Sequence, residues 1–228
     1  MEIIKNNLEI INEKIKKAAL KANRNPQEIK LVAVTKTATI EQIKEAISEG
    51  VKIIGENKVQ EAKEKYQILT GNTEWHLVGH LQTNKVKYAV EIFDLIHSVD
   101  SIKLAKEIDK RSVQFGMMTN VLVEVNVSGE ETKYGIKPEE VEPFLKEISG
   151  FSRIKVRGLM TIAPIAEDQE EVRPYFRKLR ELSKEIKSKN IKNVKMDYLS
   201  MGMTEDFEVA IEEGANMVRI GRGIFGFH

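Results

Sequence analysis

The sequence predicts an α/β protein: a single (β/α)8 (TIM) barrel over residues 1–228, preceded by an extra N-terminal helix within residues 1–25. Three observations carry this expectation. Short apolar segments of strand character alternate with segments of helical period, eight times along the chain. The connections are short, which suits a closed barrel better than an open, doubly wound sheet. Segments such as "LVAV", "VLVEV" and "MVRI" are apolar on successive residues, as in strands covered on both faces.

In order along the chain, Ile3, Ile4, Leu8, Ile11, Ile15 and Ala18 recur at three- and four-residue steps and predict an amphipathic first helix. "NRNP" ends it, because Pro26 and the residue before it resist helix. "IKLVAVT" then reads as a strand and "IEQIKEAISEG" as a helix stopped by Gly50. "VKIIGE" pairs with "VQEAKEKYQIL", and "TEWHLVG" with "QTNKVKYAVEI". "DLIHSV" leads into "SIKLAKEIDKRSVQFG", with Asp100 or Ser101 as its N-cap. "NVLVEVNV" is followed by a polar loop, "SGEETKYGIK", and by "PEEVEPFLKEIS", with Pro138 suited to the helix start. "IKVRGLMTI" precedes the helix "AEDQEEVRPYFRKLRELSKEIKSK", whose Tyr175, Phe176, Leu179, Leu182 and Ile186 face the barrel. "VKMDYLSMG" precedes "TEDFEVAIEEG", and "MVRIG" is the eighth strand, closed by "RGIFG".

Composition narrows the function classes. The 36 basic and 35 acidic residues nearly cancel, which argues against a general nucleic-acid binder. Cysteine is absent, which removes disulfides, thiolate metal sites and a cysteine nucleophile, and fits a reducing cytoplasm. The N-terminus has charges at helical spacing and no cleavage site of signal-peptide type. No apolar run approaches ~18 residues, so no membrane span is expected.

In a barrel of this kind reactive groups stand at the C-terminal ends of strands. Lys36 follows the first strand, with Thr35 and Thr37 on either side. A stem passing through apolar surroundings would favour the neutral, nucleophilic amine that condenses with aldehydes. The alternative is a solvated lysine, or one paired with a carboxylate such as Glu56. After the seventh strand "LSMGM" offers Ser200 and Gly202, and after the eighth "RIGRG" offers Gly221 and Gly223 before a short helix. Loops in those two places form the recurrent phosphate site of such barrels, since glycines let backbone N–H groups approach the anion. A lysine after strand one together with these turns describes a phosphate anchor facing a Schiff-base former. His76 and His80 are four apart on a strand and turn, without a metal-binding pattern. His97, near the end of the fourth strand, reads as a cofactor-edge contact or as a packed, hydrogen-bonded imidazole. The loop bearing Lys133 and Tyr134 reads as a lid, a partner surface or a solvated loop.

The ordered segments "AVTKT", "IGEN", "HLVGHLQTNK", "IHSVDS", "EVNVSGEETKYG", "GLMTI" and "LSMGMTEDFEVAIEEGANMVRIGRGIFG" resemble the pyridoxal phosphate homeostasis protein family from about residue 30 onward. That family is similar in turn to the barrel domain of alanine racemase, the pyridoxal-phosphate fold-type III. The resemblance implies that Lys36 holds pyridoxal 5′-phosphate as a Schiff base. Ser200, the backbone at Met201 and the amides of Gly221 and Arg222 would hold the phosphate. Arg219 would approach the pyridine nitrogen, and Asn57 and Met160 would line the ring. Arg222 stands where many members have threonine, so a hydroxyl ligand is lost there. A guanidinium beside the pyridine nitrogen opposes its protonation and makes the ring a weaker electron sink.

Three functions compete on these grounds: a cofactor-binding protein that buffers or delivers pyridoxal phosphate to dependent apoenzymes, an amino-acid racemase, and an aldolase-like enzyme. The resemblance implies that racemisation needs a second base from an additional β-domain of a partner subunit. The chain ends at His228 soon after the eighth strand. The expectation is therefore an open site, vitamin B6 homeostasis without robust catalysis, and a monomer in the cytoplasm.

Overall fold

Why the chain closes into a barrel is visible in the spacing of its elements. A computed structural model describes residues 2–69 and 71–226; Met1, Phe227 and His228, the ends of the expected domain, and Thr70 lie outside the described residues. The order is α1 (Glu2–Lys21), β1 (Lys30–Val34), α2 (Ile40–Ser48), β2 (Ile53–Glu56), α3 (Val59–Ile68), β3 (Glu74–Leu77), α4 (Val86–Ile92) and β4 (Leu95–Val99). It continues with α5 (Ile102–Phe115), β5 (Thr119–Glu124), α6 (Val141–Ile148), β6 (Ile154–Met160), α7 (Arg173–Ser188), β7 (Val194–Ser200), α8 (Phe207–Glu212), β8 (Met217–Ile220) and α9 (Arg222–Phe225). Every strand pairs in parallel with its sequence neighbour, and β8 pairs with β1, so the sheet has no free edge. This is the alternating (β/α)8 barrel that the sequence predicts.

Side chains alternate across each strand, which divides the core into two shells. Val32, Ile53, Val78, Leu95, Leu122, Met160 and Met217 fill the barrel interior. A larger shell, including Ala33, Ile54, Ile96, Val121, Val123, Leu159 and Val218, packs against the helices. Phe176, Leu179 and Ile186 of α7 are buried there, with Tyr175 and Leu182 partly so, as their spacing predicts.

The local chemistry explains the element starts. Ser101 caps α5 by accepting from the Leu104 N–H. Thr39 and Gln42 form a reciprocal capping box at the start of α2, directly after the Lys36 turn. Two boundaries differ from expectation. α7 begins at Arg173, because residues 161–168 run as an extended loop and a single 3-10 turn at Gln169–Val172 precedes the helix. β1 ends at Val34, so Lys36 lies in the turn beyond it. The extra helix α1 packs against α2, α8 and α9, and Asn7 donates to the Ile224 carbonyl at 2.9 Å.

Candidate functional site

β8 lies between β1 and β7, so the loops that follow these three strands are neighbours on the C-terminal rim. The contacts there are close. A Cβ on Gly221 would stand 3.0 Å from the carbonyl oxygen of Val34, two residues before Lys36. The Arg219 N–H donates to the Gly202 carbonyl at 3.0 Å, which ties the loop after β7 to β8. Gly202 itself has φ +92°, and a Cβ there would meet the Ala210 Cβ at 2.6 Å. Only glycine suits that position. The Gly223 N–H points to Thr204 Oγ1 at 3.4 Å, closing the turn that opens α9.

Lys36 is exposed on this rim, so the apolar sheath expected around its stem is not there. Glu56, offered above as its ion-pair partner, is engaged elsewhere. Its carboxylate is fully buried and accepts from Lys65 Nζ at 2.7 Å and from the Thr35 hydroxyl. Lys65 Nζ also donates to the Thr35 carbonyl at 2.6 Å. A lysine from α3 thus braces the peptide that leads into the exposed Lys36.

The floor of the mouth is polar. Arg219 is 4% exposed. It donates through Nη1 to the Ser200 carbonyl and hydroxyl oxygens, both at 2.7 Å, and through Nη2 to the Thr161 carbonyl at 2.8 Å. Burial lowers its pKa to about 10, against the opposing pull of Asp206 and Glu124, so it is a cation at neutral pH. The Ser200 hydroxyl therefore faces inward, bonded to Arg219 and to His97, and Met201 is buried behind it. Met160 lies fully buried in the barrel interior. Asn57 follows β2 at the rim, half-buried, with its backbone pressed against Gly79, where a Cβ would come within 2.3 Å of its carbonyl oxygen. Arg222 is exposed and pairs with Glu205 at 3.3 Å.

The sequence reading did not single out Glu124. It is 5% exposed, and its pKa is pushed up to about 7, first by burial and then by Asp100, with Arg219 acting in the opposite sense. Its signal was present, since Glu124 is in phase with Leu122 on the inward face of β5. The Lys65 bond to the Thr35 carbonyl had no local signal, because α3 and the end of β1 meet only through the fold. Tyr134 stacks on His80 with ring centroids 3.9 Å apart, and His80 faces Asp100 at 3.8 Å. Among the described residues no group of three or more His, Asp or Glu side chains is arranged to hold a metal ion.

An exposed lysine after strand one, beside tight glycine turns at 202 and 221, fits a phosphorylated aldehyde. Comparison with known proteins agrees. Residues 4–228 match the family model described as alanine racemase, N-terminal domain. A pyridoxal phosphate homeostasis protein of Aquifex aeolicus is 49% identical over 215 residues, covering 94% of this chain and 93% of that protein. The chain belongs to the pyridoxal phosphate homeostasis protein family. Another member of this family, from Haemophilus influenzae, is 40% identical, with 98% of this chain and 95% of its own covered. Among solved structures, PipY of Synechococcus elongatus with PLP bound superposes with a TM-score of 0.82 at 33% identity, covering 93% of this chain and all (100%) of that one. Alanine racemase of Clostridium difficile shares the barrel alone, with a TM-score of 0.79 at 18% identity over 57% of its chain.

Proposed function

We propose that this protein binds pyridoxal 5′-phosphate on Lys36 and serves vitamin B6 homeostasis as a carrier, without robust catalysis of its own. The observation that carries the proposal is the convergence on one rim of the exposed Lys36 amine, the Gly202 and Gly221 turns and the buried Arg219 cation. When bound, the cofactor supplies a reactive aldehyde and an electron-withdrawing ring. Lys36 provides the amine for that aldehyde. The backbone of the loops at 201–203 and 221–222 holds the phosphate, with the Ser200 hydroxyl serving the guanidinium beneath. Arg219 would approach the ring nitrogen and oppose its protonation, and Met160 and Asn57 would line the ring's surroundings. Arg222, turned to Glu205, contributes its amide to the phosphate and its side chain to the rim.

A carrier is favoured over a racemase because the strong relatives bear the homeostasis name over nearly their whole length, whereas the racemase likeness is one of fold. An exposed Lys36 also suits exchange with incoming amines. The same proposal makes the protein a single-domain cytoplasmic monomer over residues 1–228 that hands cofactor to dependent apoenzymes. The deciding experiment is borohydride reduction with pyridoxal phosphate, followed by intact mass and peptide mapping. The adduct is expected on Lys36, and Lys36→Ala should stay folded and carry none. A reducible adduct retained by that variant would refute the assignment, sustained D-alanine formation by the purified protein would restore the racemase reading, and a dimer in sedimentation would remove the monomer.

A further inference from the structure

A line of hydrogen-bonded side chains runs down the inside of the barrel, beneath the site described above. From Arg219 Nη1 it passes to Ser200 Oγ at 2.7 Å, from Ser200 Oγ to His97 Nδ1 at 2.9 Å, and from His97 Nε2 to His76 Nδ1 at 3.1 Å. His76 Nε2 then faces Glu74 Oε2 at 3.5 Å, at the first residue of β3. Ser200 and His97 are fully buried, and His76 is 2% exposed. At its far end, His76 and Glu74 line a cavity of about 250 Å³ with residues from the starts of other strands, among them Leu95 and Met217. The line therefore spans from the floor of the mouth to the opposite, N-terminal face.

Its direction follows from its two ends. A guanidinium has donors and no acceptor, so Ser200 Oγ accepts from Arg219. The serine hydrogen is then free for its other neighbour, His97 Nδ1. His97 is held neutral, by burial first, with the neighbouring His76 and Arg219 acting in the same sense, so its pKa lies well below the usual range. A neutral imidazole that accepts at Nδ1 must carry its proton on Nε2, and it donates that proton to His76 Nδ1. His76, accepting at Nδ1, carries its own proton on Nε2 toward Glu74. The carboxyl of Glu74 lies below its usual range, owing first to the facing His76, and at 3.5 Å it closes the line as an anionic neighbour. The Arg219 end imposes this orientation: Ser200 and His97 each give one hydrogen bond and take one, while His76 takes one from His97 and faces Glu74 across 3.5 Å. The reverse orientation would leave the buried Ser200 hydrogen without this acceptor, and an unmade buried hydrogen bond is expensive.

We propose that Ser200, His97 and His76 form a one-way hydrogen-bond relay along the barrel axis, and that the relay is the positioning device for Arg219. It fixes the rotation of the Ser200 hydroxyl, and through it the plane of the guanidinium that would approach the cofactor's ring nitrogen. None of the three touches the reacting aldehyde, so His97 and His76 are positioning residues. The positioning role rests on the proposed function, whereas the relay itself does not.

Two measurements test it. Long-range nitrogen–proton NMR spectra of the uniformly ¹⁵N-labelled, cofactor-free protein at neutral pH should show both imidazoles neutral and protonated at Nε2. Either ring found with its proton on Nδ1, or His97 found as a cation, overturns the relay. In the second measurement pyridoxal 5′-phosphate is titrated into wild type, His97→Leu and His97→Asn, each first shown to melt cooperatively. Asparagine keeps an acceptor near the Nδ1 position, and leucine removes it. His97→Leu should weaken the cofactor's dissociation constant about tenfold, in keeping with loss of one buried hydrogen bond, and displace the visible absorbance maximum of the bound chromophore. His97→Asn should restore the maximum and most of the affinity. A wild-type maximum and affinity in His97→Leu would overturn the positioning role. Failure of the wild type to take up reducible cofactor would overturn the proposed function and the positioning role with it, while the imidazole tautomers would still decide the relay.

Discussion

Glu124 shows how one residue's surroundings become a property of the whole protein. Its carboxyl is buried at the barrel mouth near Asp100, and its pKa is pushed up from the usual 4.5 to about 7. Above pH 7 the folded protein bears the full cost of holding the ionised form, about 3 kcal/mol. Between pH 7 and 4.5 the folded state takes up a proton that the unfolded chain does not, so stability falls as pH rises through that window. Glu124→Gln is neutral throughout and should abolish this slope in urea denaturation curves measured from pH 4.5 to 8. An unchanged slope in the variant would show that the carboxyl is better solvated than its burial implies. At this scale the sequence was partly legible. Lys36, Arg219 and the glycines of "LSMGM" and "RIGRG" announced themselves by residue type at strand ends. Ser200 was legible as a polar residue at the right place, but the direction of its hydroxyl, inward to Arg219 and His97, depends on strands β4 and β8, which no local pattern brings together.

Among the elements, the turn between β1 and α2 is the most carefully supported. The Thr39–Gln42 capping box fixes its exit, and the Lys65–Glu56 pair fixes its entry from below. Glu56 Oε2 has no hydrogen-bond partner, so the pair is already short of full satisfaction. Lys65→Met would leave the buried Glu56 charge uncompensated and should destabilise the protein by ~3 kcal/mol. The double variant Lys65→Met/Glu56→Leu should recover most of that loss, because removing both charges also removes the desolvation cost. Chemical denaturation of the wild type, Lys65→Met, Glu56→Leu and the double variant distinguishes the cases, and additivity of the two single effects would show that the charges do not interact. Element existence was readable throughout, since periodicity and breakers mark each strand and helix. Boundaries were less so. The late start of α7 at Arg173 was hidden because "AEDQEEV" is rich in helix formers, yet its Asp168 side chain caps a 3-10 turn by accepting from the Glu170 N–H.

For the whole molecule, closure of the barrel is reinforced outside by charge. Glu213, with its side chain 5% exposed, meets Arg177 and Arg180 at 2.9 Å and Arg173 at 3.2 Å; Arg173 also holds Glu212, which Lys21 of α1 reaches at 2.7 Å. This network ties α1, α7 and α8 together over the late strands. Burial works against ionisation of Glu213, but the hydrogen bonds and charges of Arg177, Arg173 and Arg180 outweigh it and leave its pKa lowered. The stabilisation is present above the unfolded carboxyl range and is lost as pH falls through the folded value. Glu213→Gln should therefore lower the melting temperature at pH 7 and narrow its gap from wild type toward pH 3, as calorimetry at the two pH values would reveal; an equal gap at both would exclude a charge contribution. What the sequence determined by itself was the succession of elements, the closed parallel barrel and the family, because hydrophobic period, short connections and ordered motifs are properties of neighbouring residues. What only the tertiary structure decided was which polar groups meet: Lys65 beneath Thr35, Ser200 against Arg219, and two histidines from adjacent strands in one buried line. Those pairings depend on strand register and on closure of the sheet, which bring residues 19 to 30 apart in the chain, and His97 and Ser200 at 103 apart, within hydrogen-bonding distance.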